Sequence, residues 1–304
     1  ITAIFWKDFG GPYCYRIPVI IRTCQGRLLA FAEQRGPQCT DWDSKGIVLR
    51  QSDDDGETWG KIVVVAASSG GRRPGNPNPV VVDLKGNARD ATKRCAILMH
   101  YTTQNNPTAE SHGTNMQAWS YDEGSSWSDF RDIGEYMPAG QRGCMPGPGV
   151  GVVAGRGTGA IFFTCHGFGP NAFLYWSWDG GNTWSHSEVL GAVDECSIAN
   201  LRNGTSLGMN CRTKARCRTQ LTWDISNIEH PRVVARFNPQ GLIDPGAQGS
   251  LLNVDGAIFL SNAHSPGDPR KPWGERHHVG VRRSDDDGLT WDVAGGEHLF
   301  SYPG

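Results

Sequence analysis

Three sets of residues in this 304-residue chain have types and spacings that could do chemistry. The first is the acidic string Asp53-Asp54-Asp55, which could offer carboxylates to a calcium ion. A calcium loop of the EF-hand kind needs a longer ligand series closed by a glutamate, and that series is absent. The second set is the nine cysteines, Cys14, Cys24, Cys39, Cys95, Cys144, Cys165, Cys196, Cys211 and Cys217. None forms a C-x-x-C pair, so their spacing makes neither a zinc site nor a dithiol redox centre. An odd count leaves at least one thiol free or bonded to another chain, and most of the nine are expected as small buried apolar residues. The third set is the sequon Asn203-Gly204-Thr205, a possible glycan acceptor. Its Asn-Gly also makes a two-residue hairpin turn, and the sequence favours the turn.

Composition narrows the partners. The net charge is -2 and no basic run occurs, which argues against nucleic acid. No apolar stretch approaches the ~18 residues that cross a membrane as a helix. The sequence starts at Ile1 without an initiator methionine or a leader pattern, so a leader has been removed or the chain trimmed. Gly 40 and Pro 18 are high counts, but Trp 11 and Phe 11 argue against disorder. Short aromatic-rich strands joined by many turns account for both facts.

The elements that would position any chemistry come from internal repeats. Four segments share the pattern S-x-D-x-G-x-[ST]-W: Ser52 to Trp59, Ser120 to Trp127, Ser177 to Trp184 and Ser284 to Trp291. The pattern is that of a turn. The Asp accepts backbone hydrogen bonds, the Gly supplies a positive φ, the hydroxyl closes the turn and the Trp packs it onto a sheet. The starts are 68, 57 and 107 residues apart, so a decayed copy is expected in the long gap, at Thr222-Trp223-Asp224-Ile225-Ser226-Asn227. The period is about 45 to 70 residues, the length of a four-stranded propeller blade. Runs such as Ile47-Val48-Leu49, Val80-Val81-Val82 and Ile161-Phe162-Phe163 read as strands, and no helical period is sustained. The chain reads as all-β and as one domain over 1–304.

Tyr15-Arg16-Ile17-Pro18 resembles the [FY]-R-I-P signature of sialidases, and with the repeated turns downstream the resemblance covers about Tyr15 to the end. Leu29-Ala30-Phe31-Ala32-Glu33-Gln34-Arg35 is similar to the A-F-A-E-x-R segment of the animal type, including the lysosomal form. The resemblance implies a six-bladed β-propeller whose last blade is incomplete here. It implies an exo-α-sialidase that releases terminal sialic acid from glycoproteins, gangliosides or oligosaccharides with retention, without metal or organic cofactor. A trans-sialidase and a non-catalytic sialic-acid lectin are the alternatives. A lysosomal or secreted setting is favoured.

Site residues carry over by motif. Three arginines clamp the sugar carboxylate, because a guanidinium stays charged and meets a carboxylate bidentately. They are Arg16; Arg212 in Met209-Asn210-Cys211-Arg212; and Arg276 in the segment that runs to Arg282. Arg282 and Arg283 are alternatives to Arg276, and Arg216 and Arg218 to Arg212. Arg35 matches a fourth arginine, toward the sugar's far hydroxyls. The acid that protonates the leaving oxygen is Asp41 or Asp43, and counting back from Ile47-Val48-Leu49-Arg50 favours Asp41. Glu195 in Asp194-Glu195-Cys196 is the base for a tyrosine nucleophile. That tyrosine is expected just past Gly304, since Tyr302 precedes Pro303-Gly304 where the family's tyrosine follows a Pro-Gly; roughly the last 50 residues are then missing. Asn78 matches a polar position near an N-acetyl pocket. The loop at Met145 to Gly151 and the rim segment Thr164-Cys165-His166-Gly167 are further candidates.

Overall fold

The computed structural model describes residues 2–83, 95–104, 113–154, 159–167, 169–265, 276 and 278–293. The chain divides into two compact units, Ile1–Val153 and Ala154–Gly304. The first unit holds two antiparallel sheets. One runs in order Cys14–Arg22, Leu28–Arg35, Ser44–Ser52, Val63–Ala67; the other runs Arg73–Asp83, Cys95–Gln104, Thr114–Ser120, Arg131–Asp132. The second unit holds three. The first of these runs through Ala160–His166 and Asn171–Ser177 to an outer edge split between Ser185–His186 and Leu190–Gly191. The next is Asp194–Asn200, Ser206–Arg212, Thr219–Asp224, Arg232–Phe237, and the last is Ser250–Val254, Ala257–Ala263, Val279–Ser284, Asp292–Val293. These are blades of the propeller kind: consecutive antiparallel strands lying side by side.

Five blades are present among the described residues, not six. The reason is arithmetic in chain length, since each sheet with its turns consumes most of a repeat period. The last of the five is itself four-stranded, through Asp292–Val293. The expected decayed repeat is where the doubled gap put it. Asp224 ends the third strand of the fourth blade, and its carboxylate accepts the Ser226 N–H at 3.0 Å.

The four intact repeats sit at the turn that follows the third strand of their blades or its equivalent. In the first, Asp54 Oδ1 accepts the Thr58 N–H at 2.9 Å, and Ser52 Oγ donates to Asp54 Oδ1 at 2.7 Å while accepting from Gly56 N at 2.9 Å. The same bonds recur around Asp122, Asp179 and Asp286. Trp127 meets Phe31 edge-on at 6.1 Å, and Trp184 packs on Phe163 and Tyr175 at 5.7 and 5.4 Å. Each unit has its own apolar core, with Phe31, Ile47, Ile97 and Met99 in the first and Leu251, Ile258 and Leu260 in the second.

Hydrogen bonds from Thr58 and Ser52 hold the Asp54 carboxyl down at about 2. Burial pushes Asp122, Asp179 and Asp286 up, but their turn hydrogen bonds outweigh it and leave all three below the usual range. A carboxyl lowered by folding stabilises the fold above its unfolded value, and the contribution is lost as pH falls through the folded one. Melting temperature is therefore expected to drop between about pH 4 and pH 2, and the drop to shrink in Asp54→Asn. A pH dependence unchanged by that substitution would contradict the assignment.

The cysteines depart from the expectation of buried free thiols. Cys14–Cys39, Cys24–Cys95 and Cys196–Cys211 are disulfides, and Cys217 keeps its thiol. Spacing alone did not show this, because the bonds join residues 25, 71 and 15 apart, and only Cys196 and Cys211 face each other on paired strands.

Candidate active site

In the first unit the site is organised by the strand Leu28–Arg35. Phe31, Glu33 and Arg35 alternate onto one face and are all buried. Opposite them, Val19 pairs with Phe31 and Arg16 with Glu33. Positions 16 and 19 differ by an odd number and would face opposite ways in a regular strand. One extra residue between them, a β-bulge, brings both to the same face. Ile17 absorbs the bend at φ 51, a left-handed conformation that costs a β-branched residue about 1–3 kcal/mol. The bulge thus lets Val19 stay in the core while exposed Arg16 shares the face of Glu33 and Arg35.

Arg35 is held between two carboxylates. Its Nε donates to Glu33 Oε2 at 2.7 Å and its Nη1 to Asp41 Oδ1 at 2.6 Å. Glu33 is 1% exposed, and its Oε1 accepts the Asn76 N–H at 2.7 Å. Burial raises the Glu33 carboxyl above its usual value, with Arg35 and the Asn76 N–H opposing. The Asp41 side chain is 73% exposed, so the buried guanidinium presents a carboxylate at the surface. The loop that carries it is closed by Gly36 N to Asp43 O at 3.1 Å and tied by Cys14–Cys39 to the strand of Arg16. Asp43 folds back on Gly36, where any Cβ would meet its Oδ2. Of the two candidate acids, Asp41 is joined to Arg35 from the surface.

Asn78 is 1% exposed on the strand Arg73–Asp83, and its Oδ1 has no hydrogen-bond partner among the described residues. Its amide lies against Gly147, where a Cβ would come within 2.3 Å of Nδ2, so only glycine fits there. Across the strand pair stands His100, whose imidazole burial pushes down to about 3, so it is neutral beside Gln117 Oε1.

In the second unit a similar bulge places Glu195. Asp194 pairs with Arg212 and Cys196 with Cys211, leaving Glu195 as the extra residue. Arg212 Nη1 donates to Glu195 Oε2 at 2.7 Å, with both side chains partly open to solvent. The Cys196–Cys211 disulfide fastens the two strands beside this pair. His166 Nδ1 lies 3.0 Å from Asp194 Oδ1 but out of line for a full hydrogen bond. Burial pushes Asp194 up, and His166 with the Glu195 N–H brings it below the usual carboxylate range.

Arg218 has a different task from Arg212. It is fully buried, 3.2 Å from Asp244 Oδ2 through Nη1, and its Nε donates to Asn210 Oδ1 at 2.7 Å. Asp244 Oδ1 in turn accepts the N–H groups of Gly246 and Ala247. Arg276 is exposed, with Nη2 3.5 Å from Gly246 O. Arg282 is buried, and exposed Arg283 donates to Asp285 at 2.8 Å. His277 and Tyr302 lie outside the described residues.

The structure thus joins Arg35 to Asp41 and Arg212 to Glu195, and sets Arg16 on the face of Arg35. Sequence reasoning had no role for Glu33 or Asp244, and placed Arg218 only as an alternative to Arg212 rather than in a buried ion pair. Strand alternation, which puts Glu33 on the face of Arg35, was the signal for the first; nothing local marks the second. The acidic string is not a cation site in this structure, since Asp53 pairs with Arg27, Asp55 with Arg22, and Asp54 closes its turn.

A family model described as "BNR repeat-like domain" matches residues 26–303, so the chain belongs to that family. It is 27% identical over 296 residues to an exo-alpha-sialidase of Arthroderma benhamiae and 27% identical over 288 residues to Sialidase-3 of Homo sapiens. Both alignments cover 83% of this chain and 64% of the relative, so the chain spans just under two thirds of their length. Among solved structures it is similar to the Hadza microbial sialidase Hz136, with a TM-score of 0.73 at 21% identity over 91% of this chain and 57% of that one. Trypanosoma rangeli sialidase gives 0.66 at 17% identity, over 90% of this chain and 47% of that one. The fold is therefore the propeller fold of these sialidases. No helix among the described residues is long and apolar enough to cross a membrane.

Proposed function

We propose that the protein is an exo-α-sialidase that hydrolyses terminal sialic acids with retention of configuration, in a lysosomal or secreted setting. The observation that carries the reading is Asp41, an exposed carboxylate fixed at 2.6 Å to a buried arginine on a disulfide-tied loop. That is what a general acid at a sugar's leaving oxygen needs: access to substrate, with its position set by the protein. By their motifs, Arg16, Arg212 and Arg276 are the residues to meet the sugar carboxylate, Arg35 orients Asp41 and reaches the far hydroxyls, and Asn78 lines the N-acetyl pocket. By its motif too, Glu195 acts as base toward a tyrosine nucleophile. A tyrosine suits an anionic sugar, because it attacks without adding a full negative charge beside the carboxylate. The disulfides support an oxidising compartment.

The test is sialyllactose in the presence of a second galactoside. A hydrolase releases free sialic acid, whereas a transferase passes the sialyl group to the added sugar and a lectin only binds. Arg276→Ala is expected to raise KM by about 10- to 100-fold, the loss of one charge-assisted contact to the carboxylate. Unchanged KM would remove Arg276 from the clamp.

A further inference from the structure

We propose that Asn203 is an N-glycosylation site, carrying an oligosaccharide on the hairpin at the far end of the strands that hold Glu195 and Arg212. The sequon Asn203-Gly204-Thr205 is the turn between Asp194–Asn200 and Ser206–Arg212. Gly204 N donates to Leu201 O at 3.0 Å, Gly204 has φ 69, and Asn203 is exposed. The Asn-Gly is not the two-residue hairpin turn expected of it: Leu201 and Ser206 close a four-residue loop over Arg202–Thr205, and within that loop the asparagine is where an enzyme or a glycan can reach it.

Two side-chain bonds of Asn203 are compatible with the modification. Its Oδ1 accepts the Thr205 N–H at 3.0 Å and its Nδ2 donates to Ser206 Oγ at 2.9 Å. Transfer from a lipid-linked oligosaccharide forms a bond between Nδ2 and the sugar C1. It breaks the C1–oxygen bond to the lipid pyrophosphate, which leaves with the electron pair, and one Nδ2 proton is lost to a base. A secondary amide results, with one N–H left for Ser206 and Oδ1 untouched. The turn is fastened independently of Asn203, because Arg202 donates to Asp285 O at 2.5 Å and to Gly256 O at 3.2 Å.

Two further observations point the same way. The disulfides Cys14–Cys39, Cys24–Cys95 and Cys196–Cys211 favour an oxidising compartment, and the eukaryotic secretory route, which forms such bonds, also transfers N-glycans. Asp194 pairs with Arg212 at one end of the strand pair and Asn200 with Leu207 at the other. At ~3.4 Å per residue the glycan is about 20 Å from Glu195 along the strands, clear of the candidate site.

The test is peptide mapping of the full chain secreted from eukaryotic cells, treated with peptide N-glycosidase in heavy-oxygen water. The expected result is Asn203 recovered as aspartate carrying heavy oxygen. Thr205→Ser should keep the modification, while Thr205→Ala and Asn203→Gln abolish it. Unmodified Asn203 in wild-type protein whose Cys196–Cys211 disulfide has formed would overturn the proposal, since that protein has passed through the compartment in which transfer occurs. Neither outcome depends on sialidase activity.

Discussion

Asp41→Ala is expected to lower kcat/KM on sialyllactose by about 10²- to 10⁴-fold, the range a positioned general acid contributes. The loss should be much smaller on an aryl sialoside. A phenolate-type leaving group departs without a proton, whereas a galactose oxygen needs one as the bond breaks. Because kcat/KM reports only steps through departure of the leaving group, the contrast isolates the acid role from any later activation of water. The fold should hardly change, since the Asp41 side chain is 73% exposed and tied to Arg35 from the surface. Asp43→Ala serves as the comparison. An equal loss on both substrates, or near-native activity on sialyllactose, would take the acid role away from Asp41.

The second large effect is on stability. Arg218 and Asp244 form an ion pair whose side chains are 0% and 1% exposed. Asp244→Ala leaves a buried guanidinium without its anion and frees the N–H groups of Gly246 and Ala247. Breaking such a pair by removing one partner costs about 3–5 kcal/mol. The urea midpoint should fall accordingly. The double replacement Arg218→Met with Asp244→Leu should recover much of the loss, because it removes both charges rather than stranding one. A fall of under about 1 kcal/mol in the single variant, typical of an exposed pair, would contradict the burial seen here.

Much of the fold was legible in the sequence because the turn motif is self-contained. The Ser, Asp, Gly and hydroxyl of each repeat bond one another within a few residues, so a local pattern reports a local structure. Even the decayed copy at Asp224 showed itself through spacing. The count of six blades came from the family, and five sheets stand among the described residues. Within the site, Arg16, Arg35 and Glu195 stood out through short motifs. What makes those residues usable was not legible. The bulges at Ile17 and Glu195 are faults in strand register, and register depends on the partner strand. The union of Cys14 with Cys39, and of Arg218 with Asp244, depends on chain segments meeting in space. Asp41 and Asp43 are separated in the sequence only by counting, and the ion pair of Asp41 with Arg35 is a contact between segments that no count reveals.

The central claim is a retaining hydrolase, and the anomer first released tests it most directly. Proton NMR of the full-length protein acting on sialyllactose should show the α-anomer of free sialic acid appearing before mutarotation converts it to the β form. The β-anomer appearing first would contradict retention and the role given to Glu195. Binding of sialyllactose with no release would contradict the enzyme reading and leave the arginines as a lectin's clamp.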